Sequence, residues 1–190
     1  MFAPISNLAV LALASTALAA PTLTTHQEYT PTVSLTGVTH TVVAGLGNSL
    51  TFSPDNVVAE IGDVVEWHFL PANHSVAQSN FANPCVPLDD DIDGTTGTSS
   101  SFFPGFAFAT SNGQQADDVF QIVVEDNNPI WYYCPQGAHC QAGMSGVINQ
   151  DFDGRATLAE YKRESVETVT VIPDEVNGQP IANPNPLGGF

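Results

Sequence analysis

The chain has 190 residues, 43% of them hydrophobic and 12% charged, enough for one domain with a real core and not comfortably for two. Three Lys and Arg stand against 20 Asp and Glu, a formal charge of −17 that argues against nucleic acid or an anionic membrane surface as partner and leaves neutral or basic ones. Fourteen Pro and 15 Gly scattered among short apolar runs argue against a helical bundle.

In chain order, Leu8 to Ala20 is an apolar stretch too short to span a bilayer, and Ala17-Leu18-Ala19 fits a small-x-small cleavage site. Residues 1–19 are therefore read as a secretory signal peptide, with Ala20 as the mature N-terminus. No later segment reads as transmembrane, and Asn183 to Phe190 lacks the hydrophobic tail of a lipid-anchor signal, so the expected product is secreted and extracellular. Residues 20–37, rich in Thr and Pro, read as a flexible lead-in.

From Val38 to Asn149 short β-branched and aromatic runs alternate with Gly, Pro, Asn and Asp clusters. The predicted strands are 38–44, 50–53, 57–60, 63–70, 75–78, 102–108, 119–125, 130–134 and 145–148, which together imply an all-β antiparallel sandwich or barrel. In 64–69, Val65, Trp67 and Phe69 share one face and Val64, Glu66 and His68 the other, so the Trp face is predicted to point to the core and His68 outward. Phe120, Ile122 and Val124 form a second inward set. Residues 80–101, with their Asp-rich run, read as a surface loop. Leu158, Tyr161, Ser165 and Val169 recur at helical spacing, predicting an amphipathic helix over 157–169 within a 150–190 segment that ends in a Pro/Gly-rich tail.

Three cysteines, Cys85, Cys134 and Cys140, can close only one disulfide in a secreted chain, so one thiol needs another reason. Cys134 is the candidate, because Cys134, His139 and Met144 place thiolate, imidazole and thioether five residues apart on one strand-to-strand loop. A disulfide from Cys134 to Cys140 or Cys85 is the plain alternative. Apart from Met1, Met144 is the only methionine. One thiolate with imidazoles and a weak thioether is a soft donor set suited to copper, whereas zinc more often recruits several thiolates or carboxylates. The second imidazole is assigned to His74, at the start of a strand where a loop side chain can reach across the end of a sandwich. His40 is the second choice; His26 lies in the lead-in and His68 is expected to face away.

Ile61-Gly62-Asp63 running through Trp67 to His74-Ser75-Val76, then Phe81 to Cys85, Trp131-Tyr-Tyr-Cys134, His139-Cys140 and Met144 resemble the cupredoxins. Within that superfamily they are most similar to the phytocyanin-like branch and to secreted fungal cupredoxin-domain proteins. The resemblance covers 38–149. It implies a Greek-key β-sandwich, followed here by the C-terminal amphipathic helix. It further implies one type I copper held by His74, Cys134 and His139 with Met144 axial, and a disulfide between Cys85 and Cys140. Ser75 would hydrogen-bond near the thiolate and hold the two ligand loops together. Where some relatives carry Gln at the axial position, Met is expected to raise the reduction potential.

Asn73-His-Ser75 is a glycosylation sequon, expected to stay unused because a glycan would crowd His74. Asp89, Asp91, Asp93 and Gly94 match half of a calcium loop, but Ser100 stands where its bidentate acid belongs. Asn149, Asp151, Asp153, Gly154 and Glu160 keep the full twelve-residue spacing and form a minor calcium candidate. No catalytic Ser/His/Asp set, phosphate loop or multicopper His cluster stands out, so no enzyme is expected. The leading expectation is a secreted blue-copper protein that passes single electrons to a neutral or basic redox partner. The alternative is a cell-wall interaction or copper-storage module on the same scaffold.

Overall fold

A computed structural model describes residues 33–88, 101–108, 110 and 114–187. The signal-peptide reading, most of the lead-in and the Asp89–Ser100 run lie outside these residues. The elements are β1 (Thr39–Ala44), β2 (Phe52–Ser53), β3 (Asn56–Val57), β4 (Val64–Phe69), β5 (Ala77–Ser79), β6 (Asp118–Val123), β7 (Ile130–Tyr133), β8 (Ser145–Ile148), α1 (Leu158–Ser165) and β9 (Ile181–Ala182).

Two mixed sheets result, β2-β1-β4-β6-β9 and β3-β8-β7-β5, and the chain crosses between them repeatedly. In the first, β1 runs parallel to β4 and β4 antiparallel to β6. In the second, β7 pairs antiparallel with both β5 and β8. Alternation builds the core between them: Val65, Trp67 and Phe69 of β4 meet Tyr132 and Ile148 of the facing sheet, all buried. Trp67 stacks on Phe120 with ring centroids 5.8 Å apart and meets Tyr132 edge-on at 5.2 Å.

The helix begins where Thr157 accepts a hydrogen bond from the Glu160 amide, and Glu160 in the first turn and Lys162 and Arg163 in the last suit the helix dipole. Leu158 and Tyr161 pack against the outer face of the second sheet, where Tyr161 lies parallel to Trp131 at 5.3 Å. Rather than reaching Val169, the helix ends at Ser165; Thr168 folds back to the Ser165 carbonyl and Val169 is left exposed.

Two further expectations are corrected. Phe102–Phe108 forms no strand: Phe103 makes a single bridge to Asn177, and the aromatic rings fill the core by side-chain packing alone. His68 is buried, not outward. Its Nε2 stands 2.5 Å from Glu66 and its Nδ1 2.9 Å from the Gln115 side chain. Gln121 donates to Glu66, and Asn183 to Gln115 at 3.0 Å. The cover comes from the C-terminal segment, where β9 pairs with β6 along Asp118 and Val119. A strand face that reads as solvent-facing in the local pattern is thus roofed by residues more than a hundred positions away.

Candidate metal centre

The register of the sheets brings three loops to one end of the sandwich. Ala44 pairs with Phe69, so β1 and β4 finish side by side. Ala77 pairs with Tyr133, and Tyr133 with Ser145, so the start of β5, the end of β7 and the start of β8 lie together. His74 precedes β5, Cys134 follows β7, and Met144 precedes β8; the loops carrying them must converge.

Cys134 is a free, buried cysteine, while Cys85 and Cys140 are joined by a disulfide with Cα atoms 5.8 Å apart. The Cys134 Sγ lies 3.4 Å from His139 Nδ1 and 3.9 Å from His74 Nδ1. The imidazole centroids are 5.0 Å apart. These three donor atoms lie within 4.8 Å of one another, and no other His, Cys, Asp and Glu grouping of this kind occurs among the described residues. Such separations match donors sharing one ion, since ligands held at about 2.0–2.3 Å around a trigonal centre stand roughly 3.5–4 Å apart.

The loop is shaped by its own backbone. The Cys134 amide donates to the Met144 carbonyl at 3.0 Å and the Met144 amide to the His139 carbonyl at 3.0 Å, which fastens both ends of the loop around His139. Met144 is fully buried and packs in the same core cluster as Cys134. His74 is reached through a tight turn in which Ala72 and Asn73 both take positive φ. Asn73 Nδ2 then donates to Gln136 Oε1 at 3.1 Å, tying the first ligand loop to the second.

Ser75 meets the Cys134 sulfur through its main-chain amide, while its hydroxyl donates to the Gly105 carbonyl at 2.5 Å. A side-chain link between the two loops is made by Asn73 and Gln136; the sequence reading noted Asn73 only as a sequon and did not foresee this bond. Gly45 was also missed: its φ is +86°, and a Cβ there would stand 2.5 Å from His74 Nε2. Its place in a Gly-Leu-Gly-Asn turn was the available signal.

Burial sets the protonation states. It pushes the Cys134 thiol up to about 11, against the opposing pull of the Ser75 and Gln136 amides. Burial first, and then the neighbouring His139, hold His74 down to about 4; burial also lowers His139. Both imidazoles are then neutral near pH 7, the form that ligates metals. His74 and Cys134 are sealed from solvent and His139 is half-buried, so the cluster meets the outside through His139.

The other candidates lie elsewhere. His40 pairs with Asp63 at 2.7 Å, near the start of β4 and away from this cluster. In the Asn149–Glu160 stretch, Asn149 Oδ1 accepts from the Ala59 amide, Asp151 from the Asp153 amide, and Glu160 pairs with Arg163. Asp151 and Glu160 are thus engaged locally, and the three acids of this stretch do not converge. Among the described residues no helix is long and apolar enough to cross a membrane.

No family model matches the chain. It is 32% identical over 151 residues to an extracellular serine-rich protein of Arthroderma benhamiae, covering 77% of this chain and 54% of that one. It is 29% identical over 136 residues to a probable GPI-anchored cupredoxin of the same species, covering 70% of this chain and 63% of that one. The chain thus spans less than two thirds of the length of either relative. Among solved structures it is similar to the pseudoazurin of Hyphomicrobium denitrificans (19% identity, TM-score 0.37, covering 70% of this chain and all of that one). A fern plastocyanin mutant aligns at 18% identity with TM-score 0.37, over 57% of this chain and 97% of that one.

Proposed function

The chain is a cupredoxin-like protein, and from that premise we propose that it is an extracellular copper protein that carries single electrons and makes or breaks no bonds itself. The observation that carries this reading is the convergence of one free buried thiol and two imidazole Nδ1 atoms within 4.8 Å, from loops 60 residues apart. One thiolate and two neutral imidazoles are the donors that suit copper, with Met144 as a weak fourth ligand. Bound there, one copper ion would supply one-electron redox chemistry.

The protein's own contribution is to hold the donors where they already stand. Cys134, His74 and Met144 are fully buried, which keeps water from competing for the site and protects the thiol from oxidation. The disulfide at Cys140, next to His139, limits how far the ligand loop can open. Half-buried His139 is the edge through which an electron would pass to a partner. With a formal charge of −17, the chain favours a neutral or basic redox partner. The words extracellular and GPI-anchored in the relatives' names support a position outside the cell, in line with the signal-peptide reading of residues 1–19.

The test is addition of copper(II) to the metal-free chain, followed by visible absorption and electron paramagnetic resonance. An intense thiolate-to-copper band, absent in Cys134→Ser, together with a reversible potential, is the expected result. A colourless protein would overturn the copper reading. Tight binding of reduced copper without reversible redox behaviour would favour storage at the cell surface.

A further inference from the structure

The segment that follows α1 runs across the back of the ligand loop and bonds to it repeatedly. Thr170 Oγ1 donates to Gln141 Oε1 at 2.7 Å, and Gln141 Nε2 donates to the Thr168 carbonyl at 3.3 Å. Buried Ser165 shares its hydroxyl between the Lys162 carbonyl at 2.8 Å and the Cys140 carbonyl at 3.3 Å. Beyond Thr170, the Val171 amide donates to the Cys85 carbonyl at 2.9 Å, and the Val171 carbonyl accepts from Tyr133 Oη at 2.6 Å. The contacted residues are Tyr133, which precedes Cys134; the two disulfide cysteines; and Gln141, two places after His139.

We infer that residues 165–171 brace the metal loop, and that Gln141 and Thr170 are positioning residues that hold His139 through its own backbone. The inference rests on the copper reading only for its consequence at the metal; the brace itself stands on the hydrogen bonds. Inside the loop, residues 140–143 make a tight turn held by the Ala142 amide on Ala138, the Gly143 amide on Cys140 and the Met144 amide on His139. Gly143 takes φ +95°, so this turn has no regular helix or strand to stiffen it. The Gln141 side chain pairs in both directions with a second segment and converts a surface turn into a clamped one. Its geometry resembles a strand pair made by one amide side chain: it donates to one backbone carbonyl and accepts from a hydroxyl two residues on. The segment supplying these contacts lies outside 38–149, the range that carries the cupredoxin resemblance.

The experiment compares the full chain with Thr170→Val, Gln141→Leu and Thr170→Ser, the last keeping the hydroxyl. In the metal-free protein, amide exchange at Gly143 and Met144 should speed up about tenfold in Thr170→Val, which loses one side-chain bond, and by at least as much in Gln141→Leu, which loses two, while strand β4 amides stay as in the wild type. Thr170→Ser should exchange at the wild-type rate. In the copper-loaded protein the same two variants should shift the midpoint potential and the thiolate-to-copper band, and Thr170→Ser should restore both. Unchanged exchange at Gly143 and Met144, or an equal rise throughout the sheets, would overturn the brace. If the wild-type chain takes up no copper, the copper reading fails and the metal-free exchange decides the brace alone.

Discussion

Asn73 donates its side-chain amide to Gln136 across 3.1 Å, so the loop that carries His74 and the loop that carries Cys134 are joined by a bond that involves neither ligand. The same nitrogen is the one a glycan would occupy in the sequon Asn73-His-Ser75. Half-buried and already bonded, Asn73 is expected to carry no glycan when the chain is expressed through a eukaryotic secretory pathway. Peptide mass spectrometry checks this, and full occupancy would contradict the close approach of the two loops. Asn73→Leu should cost more than about 1 kcal/mol in denaturant unfolding, since the net value of one such hydrogen bond is joined by the strain of Leu at the positive φ that Asn tolerates.

Gly45 has no room for a side chain beside His74. Its φ of +86° is already unfavourable for an L-residue, and a methyl group would meet His74 Nε2 at 2.5 Å. Gly45→Ala should destabilise the protein by about 1–3 kcal/mol and weaken copper uptake by tilting His74, as strain and overpacking add. Gly47, equally left-handed but with open space around its Cβ position, provides the comparison. Gly47→Ala should lose stability from backbone strain alone and leave copper uptake unchanged.

Asp63 anchors the opposite side of β4. Thr36 donates to its Oδ1 at 2.5 Å, while Oδ2 stands 2.7 Å from His40 and accepts from the Glu60 amide at 2.9 Å. The Thr36 hydroxyl first, then His40 and the Glu60 amide, lower its pKa to about 2. A carboxyl depressed in this way contributes stability that is fully present above its ordinary value near 3.8 and is lost as pH falls toward 2. Asp63→Asn should therefore lower stability at neutral pH and flatten the acid limb between pH about 4 and about 2. Thermal melts across that range check it, and an acid limb as steep as that of the wild type would contradict it.

The C-terminal roof over β4 is testable at Asn183. Its Nδ2 donates to Gln115 at 3.0 Å and to the Ala116 carbonyl at 3.1 Å, in a network that continues to His68 and Glu66. Asn183→Ala should cost about 1–3 kcal/mol, because buried acceptors lose a donor that water replaces poorly. Leu187→Ala, at a position 89% exposed, should change unfolding by less than about 0.5 kcal/mol.

Much of the site could be read from the sequence because its chemistry is local. Cys134 and His139 lie on one loop between two strands, and the structure brings their thiol and imidazole together there. The strands around them announced themselves by alternation: Val65, Trp67 and Phe69 face the core as their period of two requires. The choice of His74 over His40 followed from its place at a strand entry, and the structure sends His40 to Asp63 instead.

What the sequence determined alone was therefore the sandwich class, the inward faces and the pairing of Cys134 with His139 on one loop, since each is written in the period or spacing of neighbouring residues. Tertiary structure decided the burial of His68, the absence of a strand at Phe102–Phe108, the docking of β9, and the Asn73–Gln136 and Gln141–Thr170 bonds. The physical reason is common to all of them. Apolar periodicity reports which face of an element is apolar, but a polar face is indifferent between water and a distant polar segment that offers the same hydrogen bonds. Glu66 and His68 could have been satisfied by solvent; only the path of the chain after α1 brings Asn183 to the Gln115 side chain that caps them.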